Sequence, residues 1–361
     1  MDNLFTAWDW VYLLTFGGGL VMTLLTTPLC KRLAVKLDLM DRPAANHKGH
    51  AKATPLLGGL AMFLAWIICI GIGLAAAERI GLLQPHLAGL KSVFLPLLVI
   101  VGGALLAVAL GLIDDKYALK AGTKFLGQFI VAAIAVTFGK IQIGLFLPHP
   151  LLVWCISVFW IMLLMNSINF FDNMDGLAVG TIAIAMGLFA VVAGLNQQYF
   201  IAVFAALCCG ICCGFWVYNT TPASIFMGDS GSHFLGYLAA VTSAGVTFFS
   251  QGSSETRLPV LMPLFILALP LFDTAMVVII RTLNKKPFWI GDHNHISHRF
   301  MKMGMSRKRA VMLVHLLALT IGIGVLPILW GTLATAGIII AQTVLMLLVV
   351  TALQFFAEKK D

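Results

Sequence analysis

The run VFLPLLVIVGGALLAVALGLIDDK, residues 93–116, decides the fold. Its first part, 93–113, carries no charge, and it ends abruptly in Asp114, Asp115 and Lys116. About 20 apolar residues in an α-helix cross the hydrocarbon core of a bilayer. Only helices and closed barrels satisfy every backbone polar group there. Comparable runs lie at 10–30, 55–76, 124–139, 151–170, 177–195, 199–218, 233–250, 259–280, 310–328 and 332–356, which makes eleven in all. Of the 361 residues, 60% are hydrophobic and 11% charged, and the mean hydropathy is +0.98. A soluble domain carries roughly 25% charged residues, so a water-soluble architecture is excluded. The first run is expected to be a span and not a cleaved leader, because Asp2 and Asp9 stand where a leader has basic residues.

Threading these runs alternately places 19 of the 23 basic residues on one side, leaving Arg79, Lys91, Lys140 and Arg257 on the other. By the positive-inside rule the rich side is cytoplasmic. The expected fold is therefore an all-α, polytopic membrane protein of about eleven transmembrane helices, its N-terminus outside and its C-terminus cytoplasmic. With no repeat or linker, 1–361 reads as a single domain. The net charge of +8 then reports topology, and no nucleic acid partner is expected. The seven cysteines are an odd number and lie in or beside apolar runs, which excludes a disulfide scaffold. Cys208, Cys209, Cys212 and Cys213 read as small packing residues inside a span.

Charged groups at the bilayer centre cost several kcal/mol, so helix ends and loops are where polar residues are tolerated. Here, however, they gather on the cytoplasmic side. Asp114 and Asp115 end the third run; adjacent carboxylates repel unless a cation neutralises them, and Mg²⁺ meets that need with one or two carboxylates plus water and phosphate. Asn166, Asn169, Asp172 and Asp175 recur every third residue up to Gly176, running off the end of the fifth run along neighbouring positions of a helix face. Asn219 opens a turn-rich segment through Phe226, Gly228, Asp229 and Gly231, where glycines admit backbone amides to an anion or metal. The longest loop, 281–309, contains Asp292, His293, His295, His298 and Arg299. Without cysteine partners these imidazoles are a poor zinc site and serve better as donors to a diphosphate. Asp273, inside the ninth run, is either functional or an ion-pair partner of Arg281.

Together, Thr54-Pro55-Leu56-Leu57-Gly58-Gly59, Asp114-Asp115, Asn166 to Gly176, Phe226-Met227-Gly228-Asp229 and the histidine segment resemble the polyprenyl-phosphate N-acetylhexosamine-1-phosphate transferases, the integral membrane family of MraY, WecA and TagO. The similarity covers nearly the whole chain and is closest to the WecA/TagO branch. It implies a multi-pass enzyme of the cell inner membrane, with its active site facing the cytoplasm. Such an enzyme moves N-acetylglucosamine 1-phosphate from UDP-GlcNAc to undecaprenyl phosphate and releases UMP. It also implies Mg²⁺, with Mn²⁺ as a substitute ion, and leaves a homodimer open. Asp229 is the first metal ligand expected, with Asp115 near it. Asp114 is expected to orient or deprotonate the lipid phosphate. Asn166, Asn169, Asp172, Asp175 and Asn219 would line the nucleotide and sugar-phosphate pocket, and Phe226 would stack on uracil. His295, His298 and Arg299 would hold the diphosphate or sugar, and Lys52 is a further phosphate contact.

One departure stands out. A segment that reads His-Ile-His-His-Arg in the WecA type is His295-Ile296-Ser297-His298-Arg299 here, with His293 near enough to substitute. Other readings are the same transfer from another UDP-N-acetylhexosamine or from UDP-MurNAc-pentapeptide. A secondary transporter is the alternative from another class. It would place ionisable groups near the midplane of an internally repeated chain, and neither feature is seen.

Overall fold

The computed structural model describes residues 7–42, 53–77, 79, 87–144, 146–249, 256–287 and 294–358. Lys52, Asp292 and His293 lie outside the described residues. Each of the eleven apolar runs contains a helix. These are α1 (Ala7–Lys36), α2 (Gly58–Ala77), α3 (Leu87–Tyr117), α4 (Ala121–Phe138), α5 (Pro150–Phe171), α6 (Leu177–Leu195), α7 (Tyr199–Asn219), α8 (Gly228–Gly245), the pair α9 (Met262–Ile266) and α10 (Ala268–Leu283), α12 (Arg307–Gly324) and α13 (Leu333–Glu358). The basic loop adds a short helix, α11 (Ile296–Lys302). A small antiparallel ribbon pairs β1 (Met40–Asp41) with β2 (Thr54–Pro55).

Among the described residues, nine helices are long and apolar enough to cross a membrane, or ten if the bent α9–α10 pair is one span. The remaining helix of the expected eleven is α8. Its first turns, Gly228-Asp229-Ser230-Gly231-Ser232-His233, are polar, yet Ser230 to Ser243 are all buried. It runs through the middle of the bundle against α2, α3, α5, α6 and α7, so its polar groups never meet lipid. The ninth run bends by 72° between Ile266 and Ala268. Pro270 has no N–H to donate to the Ile266 carbonyl four residues back, and a proline inside a helix breaks it at that point.

Leucines and isoleucines remain exposed along α1, α3 and α13, among them Leu14, Leu95 and Leu345, as expected of surfaces facing lipid rather than water. Five helices, α1, α2, α3, α7 and α8, line a half-open pocket of about 740 Å³ whose walls are almost wholly apolar. It lies toward the N-terminal half of α3 and the C-terminal half of α8, while the acidic residues lie at the opposite ends of both.

Candidate active site

Five helix ends meet at one end of the bundle: the C-termini of α3 and α5 and the N-termini of α2, α4 and α8. Helix α4 starts at Ala121, which brings Lys124 into its first turn. The Lys124 ammonium donates to Asp114 Oδ2 at 2.7 Å, to Asp229 Oδ2 at 2.9 Å and to Asn169 Oδ1 at 3.2 Å. Asn169 in turn donates to Asp229 Oδ1 at 2.6 Å and to Ser232 Oγ at 2.9 Å. Three residues from three helices thus converge on one cationic atom, supplied by a fourth helix and ringed by oxygens. In the sequence Lys124 is only a base at the boundary of a run; its place one loop after Asp114-Asp115 is the available signal.

Asp115 faces the other way. Its carboxylate accepts the backbone N–H groups of Asp229 at 2.7 Å and Ser230 at 3.2 Å, so it caps α8, where a negative charge also suits the helix dipole. Both oxygens being engaged, Asp115 here holds Asp229 in place instead of standing as a free ligand beside it. Gly228, at φ +68°, makes the turn, and a Cβ there would press on the Asp115 carboxylate. The Thr54–Gly59 motif supplies the other wall. Phe226 donates its N–H to Pro55 O at 2.8 Å, while Gly58 and Gly59 donate to Phe226 O and Met227 O at 3.0 and 2.9 Å. The phenyl ring of Phe226 is half-buried beside this ladder.

Asp172 ends α5 as its C-cap. Lost hydration, followed by the negative charges of Asp229, Asp175 and Asp115, pushes its carboxyl up to about 8. The folded state therefore holds this proton more tightly than the unfolded chain does, and stability falls as pH rises from the ordinary carboxylate range toward 8. In cation-free buffer, Asp172→Asn is expected to raise Tm clearly at pH 9 and little at pH 5. An equal difference at both pH values, read by thermal unfolding, would show that Asp172 ionises normally.

Other expected substrate contacts turn out to be engaged in structure. Asn219 is 2% exposed. Its Oδ1 accepts the Gly176 N–H at 3.0 Å and its Nδ2 donates to Ile225 O at 2.9 Å, so it ties two loops together. Asp175 accepts the Ala223 N–H at 3.1 Å, a second tie between the same loops. Asn166 lies one turn deeper than Asn169 and exchanges hydrogen bonds with Gln128, which also reaches His233 at 3.0 Å. These three side chains form a polar layer beneath the site. Arg299 is 4% exposed with its guanidinium 4.8 Å from the centre of the Phe355 ring, so it packs against α13.

Asp273, which the sequence leaves as either a functional group or a partner of Arg281, meets the histidine segment. Its Oδ2 accepts from His295 Nδ1 at 2.7 Å and its Oδ1 accepts the Ile296 N–H at 2.6 Å. Arg281 lies over the Phe170 ring, 5.4 Å from its centre. The Asp273 carboxylate only accepts, so it places the hydrogen of His295 on Nδ1. His298 stands 6.2 Å from His295, ring centre to ring centre. Ser297, the departure from the His-Ile-His-His-Arg pattern, is fully buried and donates to Asn173 Oδ1 at 2.6 Å.

The donor set suits a hard cation. Carboxylate and amide oxygens from Asp114, Asp229 and Asn169 already surround the Lys124 ammonium, and Mg²⁺ asks for such oxygens in small number. Among the described residues, no three His, Cys, Asp or Glu side chains are grouped to hold a metal by themselves. A cation here would therefore complete its shell with water and substrate oxygens.

The profile of glycosyl transferase family 4 matches residues 97–247. The chain is 33% identical over 316 residues to the probable undecaprenyl-phosphate N-acetylglucosaminyl 1-phosphate transferase of Bacillus subtilis, covering 84% of this chain and 80% of that protein. It is 29% identical over 375 residues to the decaprenyl-phosphate N-acetylglucosaminephosphotransferase of Mycolicibacterium smegmatis, covering 94% and 88%. The phospho-N-acetylmuramoyl-pentapeptide-transferase of Geobacillus kaustophilus is 32% identical over 235 residues, covering 60% and 68%.

Proposed function

The chain belongs to glycosyl transferase family 4 and, within it, to the polyprenyl-phosphate N-acetylhexosamine-1-phosphate transferases, and on that premise we propose that it transfers N-acetylglucosamine 1-phosphate from UDP-GlcNAc to undecaprenyl phosphate, releasing UMP. The observation that carries this reading is the single cation position ringed by Asp114, Asp229 and Asn169 at one end of an apolar bundle. Phosphoryl transfer asks for positioning and charge neutralisation more than for covalent chemistry, and a lipid acceptor asks for both at a membrane face. The choice of sugar is supported by the Bacillus relative, which aligns over 84% of the chain against 60% for the Geobacillus muramoyl-pentapeptide enzyme at similar identity.

In this reading an oxygen of the lipid phosphate attacks the β-phosphorus of the donor. The bond from that phosphorus to the bridging oxygen breaks, and the oxygen leaves with UMP. Asp114 orients the acceptor phosphate or takes its proton; with a second phosphate pKa near 6, much of the acceptor is already ionised. Lys124 keeps two carboxylates together and offers positive charge to the entering phosphates. His295, its ring fixed by Asp273, and His298 hold the donor on the opposite wall, and Phe226 stacks on the uracil. Mg²⁺, or Mn²⁺ in its place, would be held by Asp229 and Asn169 with Asp115 supporting them, and would supply neutralisation of the diphosphate. The site end of the bundle carries Lys116, Lys120, Lys302 and Arg307 to Arg309, which supports a site facing the cytoplasm.

The test is UMP release by detergent-purified protein given undecaprenyl phosphate and UDP-GlcNAc, with Mg²⁺ or with EDTA, and with UDP-GalNAc in parallel. Release that needs both the lipid and the divalent ion, and that favours UDP-GlcNAc, is expected. A folded protein that releases no UMP from either donor would overturn the proposed donor.

A further inference from the structure

Two segments on opposite walls of the site are joined by one short hydrogen bond between side chains that no substrate role explains. Asn173 follows Asp172 in the turn between α5 and α6. Its Nδ2 donates to the Phe170 carbonyl at 3.1 Å. A carbonyl only accepts, so this contact fixes which end of the amide is which. Asn173 Oδ1 therefore points at Ser297, and the Ser297 hydroxyl donates to it at 2.6 Å. Ser297 has no exposed surface, so water does not compete for the bond. It lies between His295 and His298, in the first turn of α11.

That turn is held from two further directions. Asp273 receives the Ile296 N–H and the His295 ring at 2.6 and 2.7 Å, and Gln354 Nε2 donates to Ile296 O at 3.1 Å. Asp273 and Gln354 fix α11 to α10 and α13. Of these three anchors, the Ser297 contact is the one that reaches the turn carrying Asp172, and so it sets the gap between that carboxylate and the two imidazoles.

We propose that Ser297 and Asn173 form a positioning pair that fixes this separation and thereby governs binding of the nucleotide-sugar donor, not of the lipid acceptor. The pair rests on the donor being a UDP-sugar, as above. Ser297 is then the link that registers one wall of the pocket against the other.

The experiment compares wild type, Ser297→Ala, Asn173→Ala and the double variant. Each single change is expected to raise the donor KM about ten-fold, which is 1.4 kcal/mol and within reach of one buried hydrogen bond. The lipid-phosphate KM should stay unchanged and kcat should move by less than about three-fold. The double variant should be no worse than either single one, since the same bond is lost. Multiplying effects, or equal changes in the donor and lipid KM, would overturn the pair. UDP titrated into the same proteins reads the pair without turnover. A roughly ten-fold weaker Kd in all three variants supports it, and wild-type affinity in them sinks it. A wild type that binds UDP yet releases no UMP would overturn the transfer reading alone, and one that does not bind UDP would overturn both. Should Ser297→Ala fail to fold, Asn173→Ala breaks the bond from its half-buried end and is judged on the same KM split.

Discussion

Asp229→Asn is expected to lower UMP release to about one thousandth of wild type or less, and to do so at every pH between roughly 6 and 9. Removing one preorganised electrostatic group from a transition state already costs 10²–10³ in rate, and Asp229 does more than one thing. Its two oxygens bind Lys124 and Asn169, and it is the proposed first ligand of the divalent ion. An asparagine keeps the shape but removes the charge, and no change of pH restores it. Asp114→Asn should behave differently. If Asp114 mainly helps to ionise or orient the acceptor, raising the pH ionises the lipid phosphate unaided and recovers part of the rate. Parallel pH–rate profiles decide the matter. Equal, pH-independent losses in both variants would remove the division of labour between the two carboxylates.

The sequence made the helices legible because apolar length alone dictates them: each run holds a helix, and the acids sit at the ends foreseen. The central helix α8 was legible as a run but not as a buried element, since its polar first turns are tolerable only because five other helices surround it. The histidine segment is legible in the sequence, but its anchor is not. Asp273 leaves two readings open, a functional group or a partner of Arg281 eight residues on, and His295 comes near it only after the chain has turned back through a loop. Lys124 escaped notice for a related reason. A lysine at a helix end looks like topology until the facing carboxylates are placed beside it. Asn219 shows what spacing alone does not reveal, since its amide also ties two loops together through backbone hydrogen bonds at both ends.

The glycines carry the least visible information, and one of them yields the second large effect. Gly111 lies in α3 one turn before Asp115. A Cβ there would collide with the backbone of Asp229 and Ser230 at the start of α8, and backbone cannot rotate away as a side chain can. Gly59 meets the same backbone from α2. The tip of α8 is therefore held between two helices that can approach only because they lack side chains at these points. Gly111→Ala must push α8 aside, and overpacking of this kind costs about 1–3 kcal/mol. The loss of activity should far exceed that figure, because a shift of about 1 Å in a reacting group can cost 10²-fold and the displaced residue is Asp229 itself. UMP release is expected to fall by roughly 100-fold or more while the protein still folds, with a Tm lower by about 3–10 °C. Gly102 on the same helix is the control, since a Cβ there meets nothing within 4 Å. Gly102→Ala should leave the rate unchanged and, by restricting the unfolded chain, raise Tm slightly. If Gly111→Ala retains full activity, the start of α8 has room to move, and Asp229 does not depend on the α2–α3 clamp for its place.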